Sequence, residues 1–218
     1  DTVAGIDFYS SPSKSDRKYR PIFTEDGDGT VPTPSALMMG NTGNVNRYWV
    51  DLVNSSIKHA NLFEDLDLET FLGHLLTKNS VSIPSTISTT TPISSSTKKL
   101  TFFLHSPLTL QLQDSSGNIT GLATDDSITQ DIPDSTYGEF GEVKYITAPE
   151  GGQYQLTMHG QETGTFSLDI QESSGDNVIT SSTIADVPTT VRTLASMTIA
   201  NGIETASPLS VDENGDGK

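Results

Sequence analysis

Between Lys98 and Val211 apolar and polar residues alternate with the two-residue period of half-buried β-strands. Tyr154-Gln155-Leu156-Thr157-Met158 and Phe166-Ser167-Leu168-Asp169-Ile170 carry the alternation most cleanly, one face apolar in each. The pattern predicts strands over Leu100–His105, Leu108–Gln113, Val143–Thr147, Gln153–His159, Thr165–Gln171 and Val178–Ile184. Turn clusters separate them: Asp114–Gly117, Glu150–Gly152, Gly160–Gly164 and Ser174–Asp176. Thr190–Ala200 and Ile203–Val211 flank Asn201-Gly202, a dipeptide suited to a two-residue hairpin. The stretch from Asp114 to Glu142 reads as a long loop. This many short strands without a competing helical stretch predict an antiparallel β-sandwich over residues 98–218.

The first eighty residues follow another rhythm. Val3–Tyr9 reads as a short strand, Ser10 to Arg20 as a polar, basic loop, and Pro21–Phe23 as a second strand. Thr33 is suited to cap a small helix with Pro34 in its first turn and Gly40 past its end, and Tyr48–Val53 reads as a third strand. The best helical signal is 68–77. There Leu68, Phe71, Leu72, Leu75 and Leu76 share a face, Asp67 serves as N-cap, and Leu66 staples onto Phe71. Strand, strand, helix, strand, helix is α/β material, too little of it to close a core of its own. Residues 81–97, rich in Ser, Thr and Pro, read as an extended linker between the two parts.

Charge sharpens the division. The 218-residue chain has a net charge of −16, with 7 basic and 11 acidic residues in 1–80 against 5 and 17 in 81–218. Such acidity argues against electrostatic binding to nucleic acid or an anionic membrane, and suits a secreted or cell-surface protein. No run is long or apolar enough for a transmembrane segment. There is no cysteine, so thiolate chemistry and disulfides are excluded. No signal peptide opens the chain, which is consistent with a mature or excised fragment beginning at Asp1.

The residues with chemistry begin at Glu25-Asp26-Gly27-Asp28-Gly29-Thr30-Val31-Pro32, at the exit of a predicted strand. Flanking glycines let the loop turn tightly and aim a carboxylate. By itself the loop suits a catalytic acid, a calcium-binding turn or a solvated acidic turn. Ile57-Lys58-His59-Ala60-Asn61-Leu62 then puts a histidine after the next strand. An acid loop followed by a histidine loop is the order in which an α/β-hydrolase completes its triad.

Gly27–Pro32, with Ser35-Ala36-Leu37 and Ile57–Leu62, is similar to lipases and acyltransferases of the lecithin–cholesterol acyltransferase type and to related bacterial α/β-hydrolase lipases. The resemblance covers residues 1–80 and implies Asp28 as triad acid and His59 as general base, with Asp26 the second choice of acid. Residues 68–76 match the helix that follows the histidine. No Gly-x-Ser-x-Gly occurs in these residues. In that family's order the nucleophile elbow lies upstream, so the expectation is the C-terminal part of a secreted lipase- or esterase-like serine hydrolase. Its partners are then an upstream portion carrying the nucleophile and a lipid or other ester substrate, and the chain alone is expected to be inactive.

At the other end, Asp212-Glu213-Asn214-Gly215-Asp216-Gly217 resembles the first half of a dockerin-type calcium loop. Asp212, Asn214 and Asp216 stand at positions 1, 3 and 5 and a glycine at 6. A structural Ca2+ is the cofactor this implies; an acidic tail is the alternative. Asp125, Asp126, Asp131 and Asp134 form a second, weaker calcium candidate, and Asn54 and Asn118 lie in glycosylation sequons. His74, His105 and His159 have no partner spacing and are assigned no role, and Trp49 and Met38-Met39 read as core. The alternative to an enzyme is a non-catalytic extracellular β-sandwich module for binding or structure.

Overall fold

The computed structural model describes residues 2–10, 17–37, 45–52, 57–77, 82–91, 97–105, 107–122 and 127–217. Strands β1 (Thr2–Ser10) and β2 (Arg17–Thr24) pair as a two-stranded sheet. The chain divides into two units, one of residues 1–5 and 22–95, the other of residues 6–21 and 96–218.

In the first unit a short helix α1 (Thr33–Ala36) follows the acid loop, then β3 (Trp49–Val50), a 3-10 helix (His59–Glu64), α2 (Leu66–Thr77) and β4 (Ile87–Ser88). Pro32, not Thr33, is the cap position of α1, and no side chain caps it. α2 starts two residues earlier than the apolar spacing predicts because Asp65, not Asp67, is its N-cap: the Asp65 carboxylate accepts from the Leu68 amide at 2.7 Å. Asp67 accepts instead from the Thr86 hydroxyl at 2.9 Å, and Leu66 is 73% exposed, so it staples nothing. Leu68 and Phe71 are buried together with Ile87, packed by Tyr48, Val50, Leu62 and Leu72; the Tyr48 and Phe71 rings meet edge to face at 4.9 Å. β4 therefore lies inside the Ser/Thr/Pro-rich stretch read as linker: Ile87 is an apolar residue with a place to bury, and β4 pairs antiparallel with β3. Met38, Met39, Gly40, Val53 and Asn54 lie outside the described residues.

The second unit is mostly antiparallel β-sheet. Its strands are β5 (Lys98–His105), β6 (Gln111–Asp114), β7 (Ile119–Leu122), β8 (Ile128–Gln130), β9 (Thr136–Phe140), β10 (Val143–Pro149), β11 (Gln153–His159), β12 (Gly164–Ser174), β13 (Asn177–Thr189), β14 (Leu194–Ala200) and β15 (Ser210–Asp212). One sheet has the order β13-β12-β5-β10-β9 and the other β15-β14-β11-β6-β7-β8. Both feed one hydrophobic core: Leu100, Phe102, Leu104 and Leu168 come from the first, Leu112, Leu156, Met158 and Met197 from the second. This architecture is compatible with a β-sandwich.

Two expectations change here. The stretch Asp114–Glu142 is not a single loop but carries β7, β8 and β9. The Asp114 carboxylate accepts from the Ser116 and Asn118 amides at 2.9 Å each, turning the chain back so that β7 pairs with β6. Asn201-Gly202 does not close a two-residue hairpin. Both residues have positive φ (61° and 116°), yet a 3-10 turn over Ile203–Thr205 follows, and the chain rejoins the sheet only at β15. Isoleucine 203, partly buried against the core, draws the chain inward there.

On the outer face of the first sheet, positions that alternation assigns to solvent are closed off. Thr101, Phe103, Ser167 and Asp169 are each buried. Tyr9, Lys18 and Arg20 of β1 and β2 lie against Asp169, Ser167 and Phe103, so β5 and β12 are buried on both faces there.

Candidate active site

Each glycine around Asp28 has a distinct steric reason. Gly29 has φ 89°, a left-handed conformation that side chains resist. A Cβ on Gly27 would stand 2.5 Å from Thr2 Oγ1 and 2.8 Å from the Val31 carbonyl oxygen. The loop closes on itself: Gly27 bridges Pro32, the Thr33 amide donates to the Asp26 carbonyl at 2.8 Å, and the Asp28 amide donates to the Val31 carbonyl at 3.3 Å. Asp28 Oδ1 then accepts from the Thr30 and Val31 amides at 3.1 and 2.8 Å, which fixes the carboxylate plane. Its other oxygen, Oδ2, lies 2.7 Å from His59 Nδ1.

The histidine is held from the backbone as well. His59 is the first residue of the 3-10 helix rather than the end of a strand, and its amide donates to the Asp28 carbonyl at 3.1 Å. Asn61 steadies the turn by accepting from the Lys58 amide at 2.7 Å. The two loops predicted to carry an acid and a base are thus joined by a backbone bond and a side-chain bond between the same two residues. Burial, the largest influence on the Asp28 carboxyl, pushes its pKa up. The Val31 amide, His59 and the Thr30 amide outweigh that and hold it below the ordinary carboxylate value. An ionised Asp28 selects the His59 tautomer with hydrogen on Nδ1, leaving the Nε2 lone pair for another proton. The imidazole side chain is 46% exposed, and no described residue bonds to Nε2. Asp26 does not reach His59; its amide donates to Thr24 Oγ1 at 3.0 Å and its carbonyl serves Thr33.

Asp212, Asn214 and Asp216 share one turn. Asp212 Oδ1 accepts from the Asn214, Gly215 and Asp216 amides (3.3, 2.7 and 3.3 Å) and Oδ2 from the Gly217 amide at 2.7 Å, while Asn214 Nδ2 donates to Asp216 at 3.2 Å. The turn closes through its own backbone. Among the described residues no three His, Cys, Asp or Glu side chains are grouped to hold a metal ion. Asp125 and Asp126 lie outside the described residues.

The second unit contains a polar cluster that sequence reasoning missed. Asp169, 1% exposed on its side chain, accepts from Thr183 Oγ1 at 2.6 Å, from Tyr9 Oη and from His105 Nε2 at 3.1 Å. Tyr9 Oη also lies 2.7 Å from His105 Nε2. Arg20 adds charge 3.8 Å away, pairs with Asp7 at 3.0 Å and stacks over the Tyr9 ring at 4.8 Å. Burial raises the Asp169 pKa most strongly, but its bonds to His105, Thr183 and Tyr9 bring it below the ordinary value. Burial, and the bond to the carboxylate, push the Tyr9 phenol far up. This cluster fastens Tyr9 and Arg20 to His105 and Asp169 on the outer face of β5 and β12.

No family model, no curated protein and no solved structure matches the chain. The assignment of function therefore rests on residues and geometry. No helix among the described residues is long and apolar enough to cross a membrane.

Proposed function

We propose that residues 1–80 are the C-terminal part of a secreted α/β-hydrolase of the lecithin–cholesterol acyltransferase-like type. They supply the acid and base of a Ser-His-Asp triad whose serine comes from a segment outside these residues. The observation that carries this reading is the 2.7 Å contact of Asp28 Oδ2 with His59 Nδ1, with Nε2 turned away from the acid. In the reaction His59 Nε2 takes the proton of the serine hydroxyl as Oγ bonds to the ester carbonyl carbon. Asp28 steadies the imidazolium, and the same proton passes to the departing alkoxide when the C–O bond breaks. Water repeats the sequence to release the acid.

A second observation supports a catalytic portion completed by further hydrolase structure. In the first unit the described buried apolar side chains are Leu68, Phe71 and Ile87, whereas Ile22, Phe63, Leu66, Leu75, Leu76 and Ile83 are exposed. The β-sheet unit acts as an accessory module. The alternative, a non-catalytic extracellular module, draws on the self-contained core of that unit.

The test is hydrolysis of a p-nitrophenyl ester by this chain and by the product of its full reading frame. We expect no turnover from the 218 residues alone. The longer product is expected to turn over the ester and to lose at least a thousandfold of that activity in His59→Ala. A reading frame with no upstream strand–Gly-x-Ser-x-Gly–helix segment, or activity that survives His59→Ala, overturns the proposal.

A further inference from the structure

We infer that Thr2 is a positioning residue for the Asp28–His59 pair, holding the acid loop so that Asp28 Oδ2 stays with the imidazole. Its importance for catalysis rests on the hydrolase reading above; the positioning itself does not. Thr2 is 1% exposed, and its hydroxyl oxygen accepts from the Gly29 amide at 2.9 Å.

Three successive amides of the loop, at 29, 30 and 31, need acceptors. Asp28 Oδ1 serves Thr30 and Val31, and Thr2 serves Gly29. Oδ2 is thereby free of backbone duty and available to His59. Gly29 is also the residue whose positive φ sets the direction in which the chain leaves Asp28, so an anchor on its amide fixes the carboxylate's aim. The fit is close. A Cβ on Gly27 would lie 2.5 Å from Thr2 Oγ1 and 2.9 Å from Thr2 Cβ, so the loop's backbone rests directly on this side chain. Thr2 is the only described residue outside the 24–33 loop that bonds to an amide of residues 28–31.

The experiment reads the His59 tautomer directly, by nitrogen-15 NMR of the imidazole in the full 218-residue chain at a pH where the ring is neutral. The Asp28 carboxylate favours the form with hydrogen on Nδ1, whereas a free imidazole favours hydrogen on Nε2. Wild type and Thr2→Ser, which keeps the hydroxyl, should show mainly the Nδ1–H form. Thr2→Val and Thr2→Ala should both move the ratio at least halfway to that of Asp28→Ala. Gly27→Ala, which leaves Thr2 intact and lifts the loop off it, should move the ratio the same way.

A role limited to stability predicts a lower midpoint of denaturation with an unchanged tautomer ratio. That result in Thr2→Val and Thr2→Ala overturns the inference while leaving the hydrolase reading in place. If Asp28→Ala itself leaves the ratio unchanged, the acid–base pair does not exist in solution and both fall.

Discussion

Asp169 shows how a single residue can invert its surroundings' rules. A carboxylate without access to water is costly unless its oxygens are occupied. Here hydroxyls of Tyr9 and Thr183, the His105 imidazole and the Arg20 guanidinium meet that need. Asp169→Asn removes the charge and leaves Arg20 and His105 facing a neutral group, a loss of about 3–5 kcal/mol near pH 7. Because the folded pKa lies below the ordinary value, the ionised form stabilises the fold at neutral pH. That contribution is intact above the unfolded carboxyl's pKa of about 3.9 and falls away as pH drops through the lower folded value. Urea unfolding followed by β-sheet circular dichroism should show the gap between wild type and Asp169→Asn narrowing as pH falls below about 4. A gap that keeps widening below about pH 4 contradicts the assignment. Alternation along Phe166–Ile170 correctly puts Asp169 on the face away from the core. Nothing in that local pattern could show that Tyr9 and Arg20, more than a hundred residues away, cover the face. The Asp28–His59 contact was legible for the opposite reason, since an acid between glycines and a histidine about thirty residues on are visible in the local sequence. Thr2 was not, because a threonine twenty-seven residues before the amide it binds leaves no local signal.

At the scale of elements, periodicity located α2 well and its beginning poorly. The apolar face 68–76 depends on spacing alone, but the start depends on which of two aspartates turns its side chain back. Asp65 does so, because its carboxylate reaches the Leu68 amide and its carbonyl accepts from the Glu69 amide at 2.8 Å. Asp65→Ala should therefore destabilise the first unit by about 1 kcal/mol, read as a lower urea midpoint of Trp49 fluorescence, the chain's one tryptophan. Asp67→Ala loses a solvent-exposed bond to Thr86 and should cost less; the reverse order would restore Asp67 as the cap. Strand prediction failed in a related way. The short strands β7 to β9 pair through turns such as that at Asp114, whose side-chain geometry no two-residue period reports. At Asn201-Gly202 a favourable hairpin dipeptide yielded to the burial of the residue after it.

For the whole molecule, the distribution of core decides where the structure opens first. Among the described residues the β-sheet unit buries nineteen side chains in one cluster, several at 0% exposure, while the first unit's cluster has three buried members. A fully buried Leu or Phe contributes about 1.5–3 kcal/mol relative to exposure, and ordering each residue costs about 1–2 kcal/mol of backbone entropy. The unit with few buried side chains per ordered residue thus has little margin. Its Asp28–His59 pair lies partly exposed and adds little. Trp49 sits in β3 of this unit, so its fluorescence and the β-sheet circular dichroism report different cores. The fluorescence transition should occur at lower urea than the dichroism transition, and native-state hydrogen exchange should find the α2 and β3 amides less protected than those of β5 and β12. Coincident transitions with equal protection would mean that the chain unfolds as one cooperative body.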